Sequence, residues 1–196
     1  MTDIYIVGVG GQGIITASKI IGDAAIVAGK DVILSETHGM AQRGGSVVCT
    51  ARIGDYASPL IPDGKADVVL SLELLETLRA IPKCSKRTLA IASTEKMVPL
   101  SVSTQKLRYP TVEEVRARFG TVAKGFLAVD ARGLAEEAGV PMSSNVVMVG
   151  ALAGSGASGL DRTHFEKAVE MNIPRRLDEN LRAFAKGFDA GAAARA

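Results

Sequence analysis

The chemistry available to this 196-residue chain gathers in two short stretches, Gly8-Val9-Gly10-Gly11-Gln12-Gly13 and Glu36-Thr37-His38-Gly39-Met40-Ala41-Gln42-Arg43-Gly44-Gly45. The first is a G-x-G-x-x-G turn. Between a strand and a helix, such a turn brings backbone N–H groups close to an anion while the helix dipole favours negative charge. The same glycines equally serve a plainer purpose, a tight turn with close packing of helix on sheet. Glu36 lies 23 residues after Gly13, where an NAD-binding protein places its ribose-binding acid. His38 as a general base would need an orienting carboxylate and a substrate pocket. No triad is visible around it, so its expected role is at an interface or in organising the loop. The Arg43 guanidinium, flanked by Gln42 and by Gly44-Gly45, either binds a carboxylate, phosphate or partner acid bidentately or is solvated.

The elements that position these residues follow from periodicity. Ile4-Tyr5-Ile6-Val7 is β-branched and aromatic, and Ile14 to Ala28 carries apolar residues at helical spacing, which predicts strand, tight turn, helix. Gly29 stops the helix, and Asp31 to Ser35 forms a second strand. A standard dinucleotide half would continue through a crossover helix. Here the polar segment from Glu36 to Gly45 leads straight into Ser46 to Ile53. The third strand is therefore expected to run antiparallel, with a helix-free connection between Leu34 and Val47.

Further strands are expected at Ala66 to Ser71, Thr88 to Ser93 and Phe126 to Asp130. Helices are expected at Leu72 to Ala80, ended by Pro82, and at Val112 to Phe119, Ala131 to Ala138, Asn145 to Ala153, Asp161 to Asn172 and Arg175 to Phe188. His164, at the start of one of these, is assigned a solvated or capping role. Gly154-Ser155-Gly156-Ala157-Ser158-Gly159 reads as a flexible linker and Gly191 to Ala196 as a fraying tail. The expectation is one α/β domain over residues 1–196, three-layered and Rossmann-like, with a mixed central sheet flanked by helices.

Composition narrows the function classes. Hydrophobic residues make up 47% and charged residues 22% of the chain, an ordinary globular balance. A formal charge of +2, from 23 basic and 21 acidic residues, provides no field that would argue for nucleic acid or an anionic membrane. The start of the chain lacks a basic region followed by a long apolar one, and no segment has the length of a membrane span, so a cytoplasmic protein is expected. Cys49 and Cys84, the two cysteines, stand far apart and suggest neither a disulfide framework nor a zinc or iron–sulfur site.

Read together, the glycine turn and the Glu36 to Gly45 wording resemble the signature of the small Rossmann-like, gamma-type subunit of 2-oxoacid:ferredoxin oxidoreductases. Three further stretches agree: Asp67-Val68-Val69-Leu70-Ser71-Leu72-Glu73, Asn145-Val146-Val147-Met148-Val149-Gly150-Ala151-Leu152, and Asn180-Leu181-Arg182-Ala183-Phe184-Ala185-Lys186-Gly187-Phe188. The Thr37 to Gly45 wording is most similar to the indolepyruvate branch.

The resemblance implies a subunit of a thiamine-diphosphate-dependent complex. That complex converts an arylpyruvate such as indolepyruvate, with CoA and oxidised ferredoxin, to an aryl-acetyl-CoA, carbon dioxide and reduced ferredoxin. It also implies that thiamine diphosphate, Mg2+ and the iron–sulfur clusters are held by larger companion subunits. This chain alone would then be inactive, with a homodimer as the way to cover its unpartnered surface. Gly8 to Gly13 and Glu36 to Gly45 would face the partner or the substrate and CoA region. Alternatives are a gamma subunit acting on pyruvate, 2-oxoglutarate or branched-chain 2-oxoacids, a non-catalytic scaffold or regulatory subunit, or a nucleotide-dependent enzyme acting alone.

Overall fold

The computed structural model describes residues 1–38, 45–97 and 108–193. Among these residues six strands form one sheet: β1 (Thr2–Val9), β2 (Val32–His38), β3 (Ser46–Ile53), β4 (Val68–Ser71), β5 (Leu89–Ser93) and β6 (Gly125–Val129). The helices are α1 (Ile14–Val27), α2 (Leu74–Arg79), α3 (Val112–Val122), α4 (Ala131–Glu137), α5 (Ser144–Ser155), α6 (Arg162–Asn172) and α7 (Leu177–Ala193).

The sheet order is β2-β3-β1-β4-β5-β6. β1, β4, β5 and β6 run parallel, while β3 lies antiparallel to both β1 and β2. The sheet is therefore mixed, for the reason the sequence supplies: a strand entered without a crossover can only return antiparallel. The antiparallel pairing of β2 with β3, from Val32 opposite Ile53 to His38 opposite Val47, excludes a crossover connection, which would set them parallel. Residues 39–44 of that connection lie outside the described residues.

Alternation along the strands splits the core in two. Ile4 and Ile6 of β1 join residues of α1, α4, α5, α6 and α7 on one face. Val7 and Val69 join Leu74, Val115 and Phe119, under α2 and α3, on the other. Three layers result, as an α/β sheet covered on both faces requires. Helix α5 is buried from Asn145 to Gly154, because it is sandwiched between the sheet, α1 and α7.

Helices α5 and α7 run against each other backbone to backbone. A Cβ on Gly150 would come within 2.2 Å of the Phe184 carbonyl oxygen, and one on Gly154 within 2.0 Å of that of Phe188. Gly187 and Gly191 answer from the other helix, against the carbonyls of Val147 and Ala151 at 2.0 and 2.1 Å. No side chain fits at these crossings.

This packing corrects two expectations. Gly154 and Ser155 are the last turn of α5 and not a linker. The residues that follow are tied down through the Ser158 carbonyl to Thr2 and the Gly159 carbonyl to Lys30. The expected tail at Gly191 is helical as far as Ala193, held by the same glycine contact. Three smaller corrections concern helix ends and one strand end. α2 begins at Leu74 because Glu73 is its extended N-cap, and Pro82 sits inside a following 3-10 turn, Ile81–Lys83. α7 starts after Arg176, whose φ of 52° is left-handed. β2 runs on to His38, so Glu36 and His38 are strand residues. Among the described residues no helix is long and apolar enough to cross a membrane.

Candidate functional site

The sheet order places the glycine turn at the carboxyl end of β1, beside β4. The chain leaves β1 through α1 on one face, and leaves β4 through α2 on the other. Such a switch point opens a crevice at the strand ends. The glycines meet its geometric demands unequally. Gly13 has φ 76°, and a Cβ there would stand 2.6 Å from Asn145 Nδ2; that amide donates to the Gly13 carbonyl at 3.3 Å. Gly11, at φ 107°, has open space around it, so its requirement is backbone conformation alone.

A closed circuit of hydrogen bonds holds the turn. Gln12 folds back so that its Oε1 accepts from the Val9 N–H at 2.9 Å and its Nε2 donates to the Leu72 carbonyl at 2.8 Å. Gly10 N–H donates to the Gly45 carbonyl at 2.9 Å. The next residue, Ser46, donates from its hydroxyl to Glu76 Oε2 at 2.6 Å. Glu76, in the first turn of α2, and its N-cap Glu73 are 1% and 0% exposed. Glu73 Oε2 accepts from the Glu76 N–H at 2.9 Å, and Leu72 precedes Glu73 in the chain, which returns the circuit to Gln12. Tyr109 extends it by donating its hydroxyl to Glu73 Oε1.

The two carboxylates of this circuit are held differently. Glu76 pairs with Arg79 at 2.6 Å. Glu73 is held by hydrogen bonds from Tyr109 and the backbone, and burial pushes its carboxyl up from the ordinary value against them. Burial, reinforced by that carboxylate, pushes the Tyr109 phenol up, so it remains a proton donor.

Two observations oppose a dinucleotide site. The Gly10 and Gln12 N–H groups already serve the Gly45 and Val9 carbonyls, which removes two of the donors a pyrophosphate cradle would use. Moreover, β3 lies between β1 and β2. Glu36 lies opposite Cys49, which lies opposite Ile6, so it is two strand spacings, about 10 Å, from Ile6 of β1 and not beside the turn.

Beside the turn is a cleft of about 80 Å3 lined by Gly11, Gln12, Leu72, Glu95, Arg132 and Met142, among others. Arg132 stands 3.5 Å from Glu95 and 2.9 Å from Glu136, and Met142 is 91% exposed. Among the described residues the cleft holds no nucleophile hydrogen-bonded to a base.

Of the residues singled out in sequence, the structure brings together Gly8, Gly10, Gly11, Gln12, Gly13 and Gly45. It places Glu36 and His38 on β2, and Gln42, Arg43 and Gly44 lie outside the described residues. His164 does cap its helix, its Nδ1 accepting from the Asp161 N–H at 3.1 Å. Glu73, Glu76, Tyr109 and Asn145 were not among the candidate site residues, although Glu73 and Asn145 lie in stretches that carry the resemblance. A Glu-x-x-Glu pair following an apolar strand was the available sign for the first two; Tyr109 carried none.

The cysteines do not fit an iron–sulfur cluster. Two cysteines fall short of the four a cluster needs. Cys49 is buried and Cys84 half-buried, and burial pushes both thiols up to about 11. Among the described residues no group of three His, Cys, Asp or Glu could hold a metal ion.

Comparison with known proteins agrees with this architecture. The pyruvate ferredoxin/flavodoxin oxidoreductase family matches residues 3–190, and the chain belongs to that family. It is 43% identical over 188 residues to the indolepyruvate oxidoreductase subunit IorB of Archaeoglobus fulgidus, covering 95% of this chain and 94% of that one. It is 42% identical over 191 residues to the protein of the same name from Methanothermobacter thermautotrophicus, covering 97% of each. Among solved structures, the pyruvate oxidoreductase subunit PORC of Thermotoga maritima superposes with a TM-score of 0.74 at 26% identity, covering 96% of this chain and 95% of that one.

Proposed function

We propose that this chain, as one domain over residues 1–196, is the cluster-free subunit of a cytoplasmic 2-oxoacid:ferredoxin oxidoreductase that oxidatively decarboxylates indolepyruvate and other arylpyruvates to aryl-acetyl-CoA. The observation that carries the reading is identity of 42–43% to relatives named as indolepyruvate oxidoreductase subunits, across nearly the full length of both chains. The donor set described above supports a division of labour. Thiamine diphosphate with Mg2+ and the iron–sulfur clusters belong to the larger companion subunit, CoA binds in the assembled complex, and ferredoxin takes the electrons.

On this reading the carboxyl edge of the sheet is the working face. The Gly8 to Gly13 turn and the Glu36 to Gly45 segment meet the companion subunit there, near the substrate and CoA region. The closed hydrogen-bond circuit suits that task, because a face built on rigid elements presents its backbone in one geometry. Expressed alone, the chain is inactive and covers its orphaned face by forming a homodimer.

The test is co-expression with the larger subunit and viologen reduction across indolepyruvate, phenylpyruvate, pyruvate, 2-oxoglutarate and branched 2-oxoacids, each with CoA. Preference for the arylpyruvates is expected; preference for pyruvate or 2-oxoglutarate would transfer the chain to the alternative branch.

A further inference from the structure

Glu73 is an unusual choice for its place. A serine, threonine or aspartate would cap α2 with a shorter side chain, and a fully buried carboxylate carries a desolvation cost that only good partners offset. Glu73 uses its extra length to reach Tyr109, 36 residues further along the chain. Both carboxylate oxygens are committed, Oε1 to the Tyr109 hydroxyl and Oε2 to the Glu76 N–H. Through the rest of the circuit, the point where the chain returns to α3 is fixed to Ser46, Gly45 and Gly10, the bases of both motif stretches.

We propose that Glu73 and Tyr109 are positioning residues for docking of the larger subunit: their bond locks the start of the α3 approach onto the same edge as the glycine turn, so that the partner meets one preformed surface. The proposal rests on the functional reading above. It makes a distinction that a purely structural role does not. A lock on the docking face lowers the cost of ordering that face when the partner binds, so its loss acts on assembly and leaves the chemistry of the assembled complex intact.

Two substitutions break the same bond from opposite sides. Tyr109→Phe removes the donor. Glu73→Asp keeps a carboxylate that can cap α2, but it is one methylene too short to reach the Tyr109 hydroxyl. The experiment titrates labelled chain with the larger subunit and measures turnover of the complex at saturating chain. Each variant is expected to raise the Kd about tenfold, equivalent to about 1.4 kcal/mol, with kcat at saturation unchanged. The double variant should be no worse than the weaker single one, because one bond is lost once.

Unchanged Kd in both variants, additive losses in the double variant, or a fall in saturating kcat at constant Kd would each overturn the proposal. If Tyr109→Phe does not fold, Glu73→Asp alone decides. The binding readout stands apart from substrate choice. A wild-type complex that forms but does not turn over arylpyruvates would sink the functional reading, and the Kd comparison would still judge this one.

Discussion

Gly154→Ala tests the helix pairing that carries the fold. The alanine Cβ would lie 2.0 Å from the Phe188 carbonyl oxygen, where an ordinary carbon–oxygen contact needs about 3.3 Å. The shortfall is about 1.3 Å, and the obstructing atom belongs to a helix backbone that cannot rotate aside. α7 must move away from α5, yet Gly150, Gly187 and Gly191 hold it at the same spacing along the crossing. Overpacking of this kind costs about 1–3 kcal/mol, occasionally more, against a helix-propensity gain of up to about 1 kcal/mol for replacing glycine.

A net loss of about 2 kcal/mol would lower the melting temperature by about 4–8 °C in a domain of this size. Gly120→Ala in α3 is the matched control, since a Cβ there meets nothing within 4 Å. It should raise stability by about 0.4–1 kcal/mol. Thermal melts of the two variants beside wild type, followed by circular dichroism, give the answer. Shifts of the same sign would refute the steric argument.

The remaining predictions address the site. Gln12→Ala strands the Val9 N–H and the Leu72 carbonyl, at a cost of about 1–3 kcal/mol; urea unfolding measures it, and hydrogen exchange at Val9 should accelerate, whereas unchanged protection would contradict the brace. For pH, burial raises the folded Glu73 carboxyl above 4.5, so its contribution to stability is present below that value and is lost as pH rises through the folded one. A glutamine side chain does not titrate, so the melting temperature of Glu73→Gln minus that of wild type should climb as pH rises above 4.5; a flat or falling difference would count against the shift. Arg43→Ala should leave the melting of the chain alone unchanged and reduce turnover of the assembled enzyme. Loss of the fold with no separate effect on assembly or turnover would sink that role.

The legible parts of this chain were those written in local pattern. β3 was readable residue for residue from Ser46 to Ile53, and its antiparallel direction followed from a missing crossover helix. The glycine turn was readable because φ above zero at Gly11 and Gly13 demands glycine. What escaped was set by distant neighbours. Gly154 looks like linker until the Phe188 carbonyl is placed against it, and Gly191 looks like tail until Ala151 is. Glu73 and Tyr109 meet across a sequence distance that no periodicity encodes. Glu36 misleads for the same reason: its spacing from Gly13 suits a ribose acid, but the insertion of β3 beside β1 moves it away.

The most direct test of the central claim is viologen reduction with indolepyruvate and CoA by three preparations: this chain, its larger companion, and the two together. The account predicts that this chain alone shows no activity and that turnover on arylpyruvates requires both subunits. Reduction by this chain free of its companion, or companion turnover indifferent to its presence, would contradict it.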